Sequence, residues 1–116
     1  MPGPSCRVWA LISMHKGRDY ALSLPAVSRL TGFHERLIQD IIRDLVVKHS
    51  LPVASTSDSR QPGYYIPADE RESIEHFRSL LKRGLRILKR AHAFHKSPLL
   101  AEFLGQAELE IAGNND

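Results

Sequence analysis

Positions 28 to 49 read SRLTGFHERLIQDIIRDLVVKH, and this stretch limits the possible folds more than any other. After Gly32, apolar residues recur at Leu37, Ile38, Ile41, Ile42, Leu45 and Val46. That three-and-four spacing draws one stripe along an α-helix. His34, Glu35, Arg36, Gln39, Asp40 and Arg43 fall outside the stripe. Upstream, Pro25 suits the first turn of a helix, where its missing N–H would have no partner anyway. Val27 and Leu30 are expected to turn inward, and Gly32 can take the left-handed conformation that ends a helix sharply. The pattern predicts two helices, over residues 25–32 and 34–49, meeting at a corner without a long loop.

The flanking sequence extends this pair. Residues 1–5 carry two prolines and a glycine and should be extended. Residues 6–14 can form a short helix buried through Val8, Trp9, Leu11 and Ile12. HKGRD interrupts, and YALSL alternates weakly enough for a short edge strand over 20–24. After the third helix, LPVAS and GYYIP enclose TSDSRQP, whose small and polar residues suit a hairpin loop. At Asp69 a long helix begins, with Asp69 as N-cap and Glu72 three residues on, as in a capping box. It should reach about Lys96, where Pro98 stops it. LLAEFLGQAELEIA forms one more amphipathic helix ending at Gly113. The expected fold is mainly α with a small β-hairpin, divided into residues 1–67 and a helical extension over 68–112.

With 116 residues the chain can bury roughly two thirds of its unfolded surface and needs no disulfide or metal to hold it together. Its single cysteine, Cys6, permits no internal disulfide. The longest apolar run, VWALI, is far below the ~20 residues of a bilayer span, and no secretory signal is recognisable. These features together read as a cytoplasmic protein. The net charge of +3 and pI near 9.3 fit an anionic partner. The charge is local: from His76 to Ala101 there is no acidic residue, while Arg78, Lys82, Arg83, Arg86, Lys89, Arg90 and Lys96 are all present.

The corner resembles that of the helix-turn-helix families, and with the hairpin it resembles their winged members. In that pattern a small residue lets the second helix pack closely, and a glycine four positions later makes the turn. A hydrophobic residue follows, and another apolar residue lies six after the glycine. Here those places are Ser28, Gly32, Phe33 and Ile38. The resemblance covers residues 24–48, and 24–66 with the hairpin. It departs at Ser28, where alanine is more usual, and at His34, where a capping Ser or Thr is more usual.

The resemblance implies sequence-selective binding of double-stranded DNA, in transcriptional control or in phage- or plasmid-type replication. Small chains of this plan look similar to prophage-encoded regulators and replication accessories. The exposed start of the third helix would face the bases in the major groove, nominating His34, Glu35, Arg36, Gln39 and Arg43. Arg36 could bond guanine, Gln39 adenine, and Glu35 could accept from cytosine. Ser57, Ser59 and Arg60 at the hairpin tip could hold phosphates or enter a minor groove. Against this stand Asp40 and Asp44, which would repel phosphates. The alternative is a protein-interaction adaptor on the same scaffold.

In the long helix, Ile74, Phe77, Leu81, Gly84, Leu88 and Ala91 follow a 3–4–3–4 seam that could pair two copies into a homodimer. Gly84 in mid-helix costs about 1 kcal/mol against alanine, which points to a close helix–helix approach. Leu80, Leu85, Ile87 and Phe94 widen the stripe. Lys82, Arg83 and Arg86 are candidate phosphate contacts. The apolar positions are better explained by a protein core than by a membrane surface.

The sequence offers no catalytic constellation, cofactor loop or metal set. His92 and His95 share a helix face but have basic neighbours and no third ligand. His34 with Glu35 and His15 with Asp19 are pairs that chance supplies in a chain with six histidines. Tyr64 or Tyr65 could stack a base, with packing the simpler role.

Overall fold

The local signals at the corner are realised closely. In the computed structural model, which describes residues 3–56 and 62–113 with side chains through Ile111, α1 spans Gly3–Ile12, α2 Leu24–Thr31 and α3 Glu35–Val47. Strands β1 (Ala54–Thr56) and β2 (Gly63–Tyr65) form an antiparallel pair, with Ala54 opposite Tyr65 and Thr56 opposite Gly63. Then come α4 (Glu70–Phe94) and α5 (Pro98–Gly113). The molecule is mainly α with one small hairpin, as the periodicity implies. It divides into two compact units, Met1–Ser73 and Ile74–Asp116.

The first unit closes on one main apolar core, beside a small cluster of Ala21, Ala54 and Tyr65. Val8 and Ile12 come from α1, Val27 from α2, and Ile38, Ile41, Ile42 and Leu45 from α3, with Val53 and Ile66 at either end of the hairpin. The buried stripe of α3 is narrower than the sequence implies, because Leu37 and Val46 sit at its edges and remain exposed. Leu30, expected to face inward, is also exposed. The eight-residue α2 buries only Val27 and Thr31.

Two other expectations fail for local reasons. Helix α1 begins at Gly3 rather than near Cys6, because Pro4 lies in its first turn, where a missing N–H costs nothing. Residues 20–24 do not form a strand. A 3-10 turn covers Arg18–Tyr20, and Leu22 alone pairs with β2: its N–H donates to the Tyr64 carbonyl at 2.8 Å, and the Tyr64 N–H returns at 2.9 Å. Ser23 leaves that rung at once to cap α2, its hydroxyl accepting from Ala26 N–H. A second rung ties Lys16 to Ile66. The hairpin is thereby fastened to the helices along the edge of β2 that β1 leaves open. On the β1 side, residues 51–53 turn tightly, with Val53 N–H donating to the Leu51 carbonyl across Pro52, so the strand starts only at Ala54.

Asp69 caps α4 as expected, its carboxylate accepting from Glu72 N–H at 2.9 Å. Glu72 does something the capping-box pattern does not describe: its carboxylate accepts from the N–H groups of Ala68 and Arg18. The first turn of α4 therefore belongs with the first unit, and the boundary falls after Ser73.

In the second unit, α4 and α5 pack through Leu85, Leu104 and Ala107, flanked by Leu81, Leu88, Leu100 and Ile111. Pro98 does more than end α4. It opens α5 from its first position, with Ser97 as the cap accepting from Leu100 N–H. An ion pair between Lys89 and Glu108 ties the two helices on the surface.

Candidate nucleic-acid interface

The angle between α2 and α3 is fixed by four residues. Gly32 sits at φ 77°, ψ 4°, and its N–H donates to the Ser28 carbonyl at 2.8 Å. The Ser28 hydroxyl donates across the corner to the Phe33 carbonyl at 2.6 Å. Thr31 donates its hydroxyl proton to the Val27 carbonyl and accepts from Phe33 N–H. Ser28 is therefore a cross-brace as well as a small residue, a role alanine could not fill.

From α1, Arg7 completes the clamp. It donates to the Thr31 carbonyl at 3.2 Å, and its guanidinium lies 4.9 Å from the Phe33 ring centroid. Nothing in the local sequence marks Arg7, since its partners lie more than twenty residues away.

His34 starts α3 as its N-cap, and its ring Nδ1 accepts from Arg36 N–H at 3.3 Å. The cap that the sequence left weakly defined is thus a histidine ring, which places His34 in a structural role. Arg36, Gln39 and Arg43 follow on one exposed face, within about 60° of arc at 3.6 residues per turn. Glu35 is exposed as well, about 40° from Gln39 around the helix. Burial first, and the Glu35 carboxylate second, raise the Tyr64 phenol above its ordinary value of 10.0. Of the five nominated residues, four lie on one exposed side of α3, within about 100° of arc, and one caps the helix.

The charge on this face is internally balanced. Asp40 reaches Arg36 at 3.6 Å and Arg43 at 3.5 Å, and Asp44 reaches Lys48 at 3.7 Å. The three cations are well exposed, and pairs of this kind are worth little in water. The arginines can exchange Asp40 for a stronger anion at small cost. Val46 and Val47 extend the same surface as exposed apolar neighbours.

Ser57, Ser59 and Arg60 lie outside the described residues. Lys82, Arg83 and Arg86 are exposed along one side of α4 in the second unit. Helix α5 splits the proposed seam. It covers Leu81 and Leu88, while Ile74 and Phe77 stay exposed and a Cβ at Gly84 would meet nothing within 4 Å.

The remaining histidine pairs resolve into backbone contacts. His15 donates from Nδ1 to the Tyr20 carbonyl rather than meeting Asp19, and His92 accepts from Ser97 N–H. Tyr65 is buried with Ala21 and Ala54, and Tyr64 packs on the main core. Among the described residues no group of His, Cys, Asp and Glu could hold a metal, and no helix is long and apolar enough to cross a membrane. Compared with protein-family models, curated proteins and solved structures, the chain finds no match.

Proposed function

We propose that this protein binds double-stranded DNA through α3 on a winged helix-turn-helix scaffold, in the cytoplasm, as a regulator of transcription or an accessory of phage- or plasmid-type replication. The observation that supports it best is the braced corner at Gly32, which holds Arg36, Gln39 and Arg43 together on an exposed helix face. A major groove accepts one helix presented at a fixed angle, and these side chains have the donors and acceptors that base edges require. Lys82, Arg83 and Arg86 act as phosphate contacts, and Ser57, Ser59 and Arg60 meet the backbone or a minor groove. The work is binding, without chemistry, cofactor or metal.

A second reading, a protein-interaction adaptor, draws on two observations. The charges on α3 balance each other through Asp40, and Leu30, Leu37 and Val47 are exposed apolar residues on α2 and α3. Selection of duplexes from a random pool, followed by titration from about 50 to 200 mM salt, separates the two. DNA binding predicts an enriched motif and affinity falling steeply with salt. Absence of binding to any duplex at low salt favours the adaptor.

A further inference from the structure

With Leu81 and Leu88 covered by α5, a different row of α4 is left open. Phe77, Leu80, Gly84, Ile87, Ala91 and Phe94 follow one another at intervals of three, four, three, four and three, the spacing of a coiled-coil seam. Phe77 is 52% exposed, Leu80 45%, Ile87 50% and Phe94 93%. All six lie within the second unit.

We propose that this row is a self-association surface whose occupant is the same row of a second copy, running antiparallel. The side-chain sizes support that register. Paired about a two-fold axis between Leu85 and Arg86, Ile87 of each copy stands opposite Gly84 of the other, Leu80 opposite Ala91, and Phe77 opposite Phe94. Large residues meet small ones in the inner layers, as close packing requires. Open space over Gly84 is the seat that Ile87 of the second copy fills. A parallel pair would stack glycine on glycine and alanine on alanine beside an Ile–Ile layer, leaving voids.

The area is sufficient for a modest dimer. Taking about 200 Å² for an aromatic side chain, the exposed parts of these residues come to roughly 450 Å² per chain. Two copies then bury on the order of 900 Å², close to the ~1,000 Å² where specific interfaces begin. Arg83 and Arg90 border the row on the edge away from α5, so two copies bring four guanidinium groups to one side of the pair. That repulsion is screened by salt, and self-association should therefore strengthen as salt rises, opposite to DNA binding.

The inference goes beyond the DNA-binding reading, and its test needs no DNA. Sedimentation equilibrium of the full chain should show a reversible monomer–dimer at high micromolar concentration, tighter at higher salt. Gly84→Leu should keep or raise helix content, because it removes a helix-weakening glycine, yet weaken the dimer by about tenfold or more. Phe94→Asp, at a position largely exposed in the monomer, should do the same without touching the fold. In a Cys6→Ser background, chains carrying Leu80→Cys should cross-link to chains carrying Ala91→Cys. Leu80→Cys chains should not cross-link among themselves, since antiparallel pairing sets those sites roughly 16 Å apart at 1.5 Å per residue. A purely monomeric chain, a Gly84→Leu variant that dimerises as well as the parent, or Leu80→Cys self-cross-linking would overturn the proposal.

Discussion

At Gly63 the backbone leaves no room for a side chain. Its φ is 146°, and a Cβ there would come within 2.4 Å of the Leu22 carbonyl oxygen. The rung between Leu22 and Tyr64 that fastens the hairpin depends on that approach. Gly63→Ala should therefore cost about 2–3 kcal/mol, through strain and the displaced rung together. Thermal melting with a Tm unchanged from the parent would contradict it. Gly32 is a different case: its φ of 77° disfavours a side chain, but the space around it is open. Gly32→Ala should cost only about 1–2 kcal/mol.

Tyr64, beside Gly63, links stability to pH. Its folded phenol titrates above 10.0 because burial and Glu35 disfavour the ionised form. The unfolded chain therefore loses this proton first, so the contribution is complete below the ordinary value and is lost as pH rises through the folded one. Denaturant midpoints measured from about pH 9 to 11 should fall less for Tyr64→Phe than for the parent. Parallel curves would remove the argument.

Among the elements, α4 and α5 show how a stop signal becomes a start signal. Pro98 cannot continue α4, yet it suits the first position of α5, and Ser97 supplies the cap. Ser97→Ala should cost about 1 kcal/mol. Leu104→Ala removes a buried contact between the two helices and should cost about 2–4 kcal/mol. Hydrogen exchange can locate both effects. They should open amides of the second unit and leave α3 protected, in keeping with separate cores. Equal loss of protection in α3 would show that the two cores unfold together. Helix α3 reads differently because its polar face carries no such packing duty. There Arg36 and Arg43 pair with Asp40 in exposed contacts, and substitutions should leave stability within about 0.5 kcal/mol.

For the whole molecule, two sets of polar residues have separable consequences on the DNA-binding reading. Arg36→Ala with Gln39→Ala should change which duplex is preferred, because those side chains meet base edges. Lys82, Arg83 and Arg86 changed to alanine should weaken all duplexes alike and flatten the salt dependence. Competition binding with two unrelated duplexes distinguishes them. The same proportional loss from both sets would reject the division of labour between α3 and α4.

The sequence by itself determined the parts that local physics controls. The helical stripe centred on Ile38, Ile41, Ile42 and Leu45, Gly32 at the corner and the cap at Asp69 all act within a few residues, and each is present. It could not supply contacts between residues distant in the chain. The Arg7 clamp on Phe33, the single rung at Leu22, the reach of Glu72 to Arg18 and the burial of Leu81 and Leu88 beneath α5 depend on where the chain folds back. Periodicity shows that a helix face is apolar, but it does not say which part of a wide face a neighbour covers. For that reason only the tertiary structure decided that the row at Phe77, Leu80, Ile87 and Phe94 stays open while its neighbour is closed.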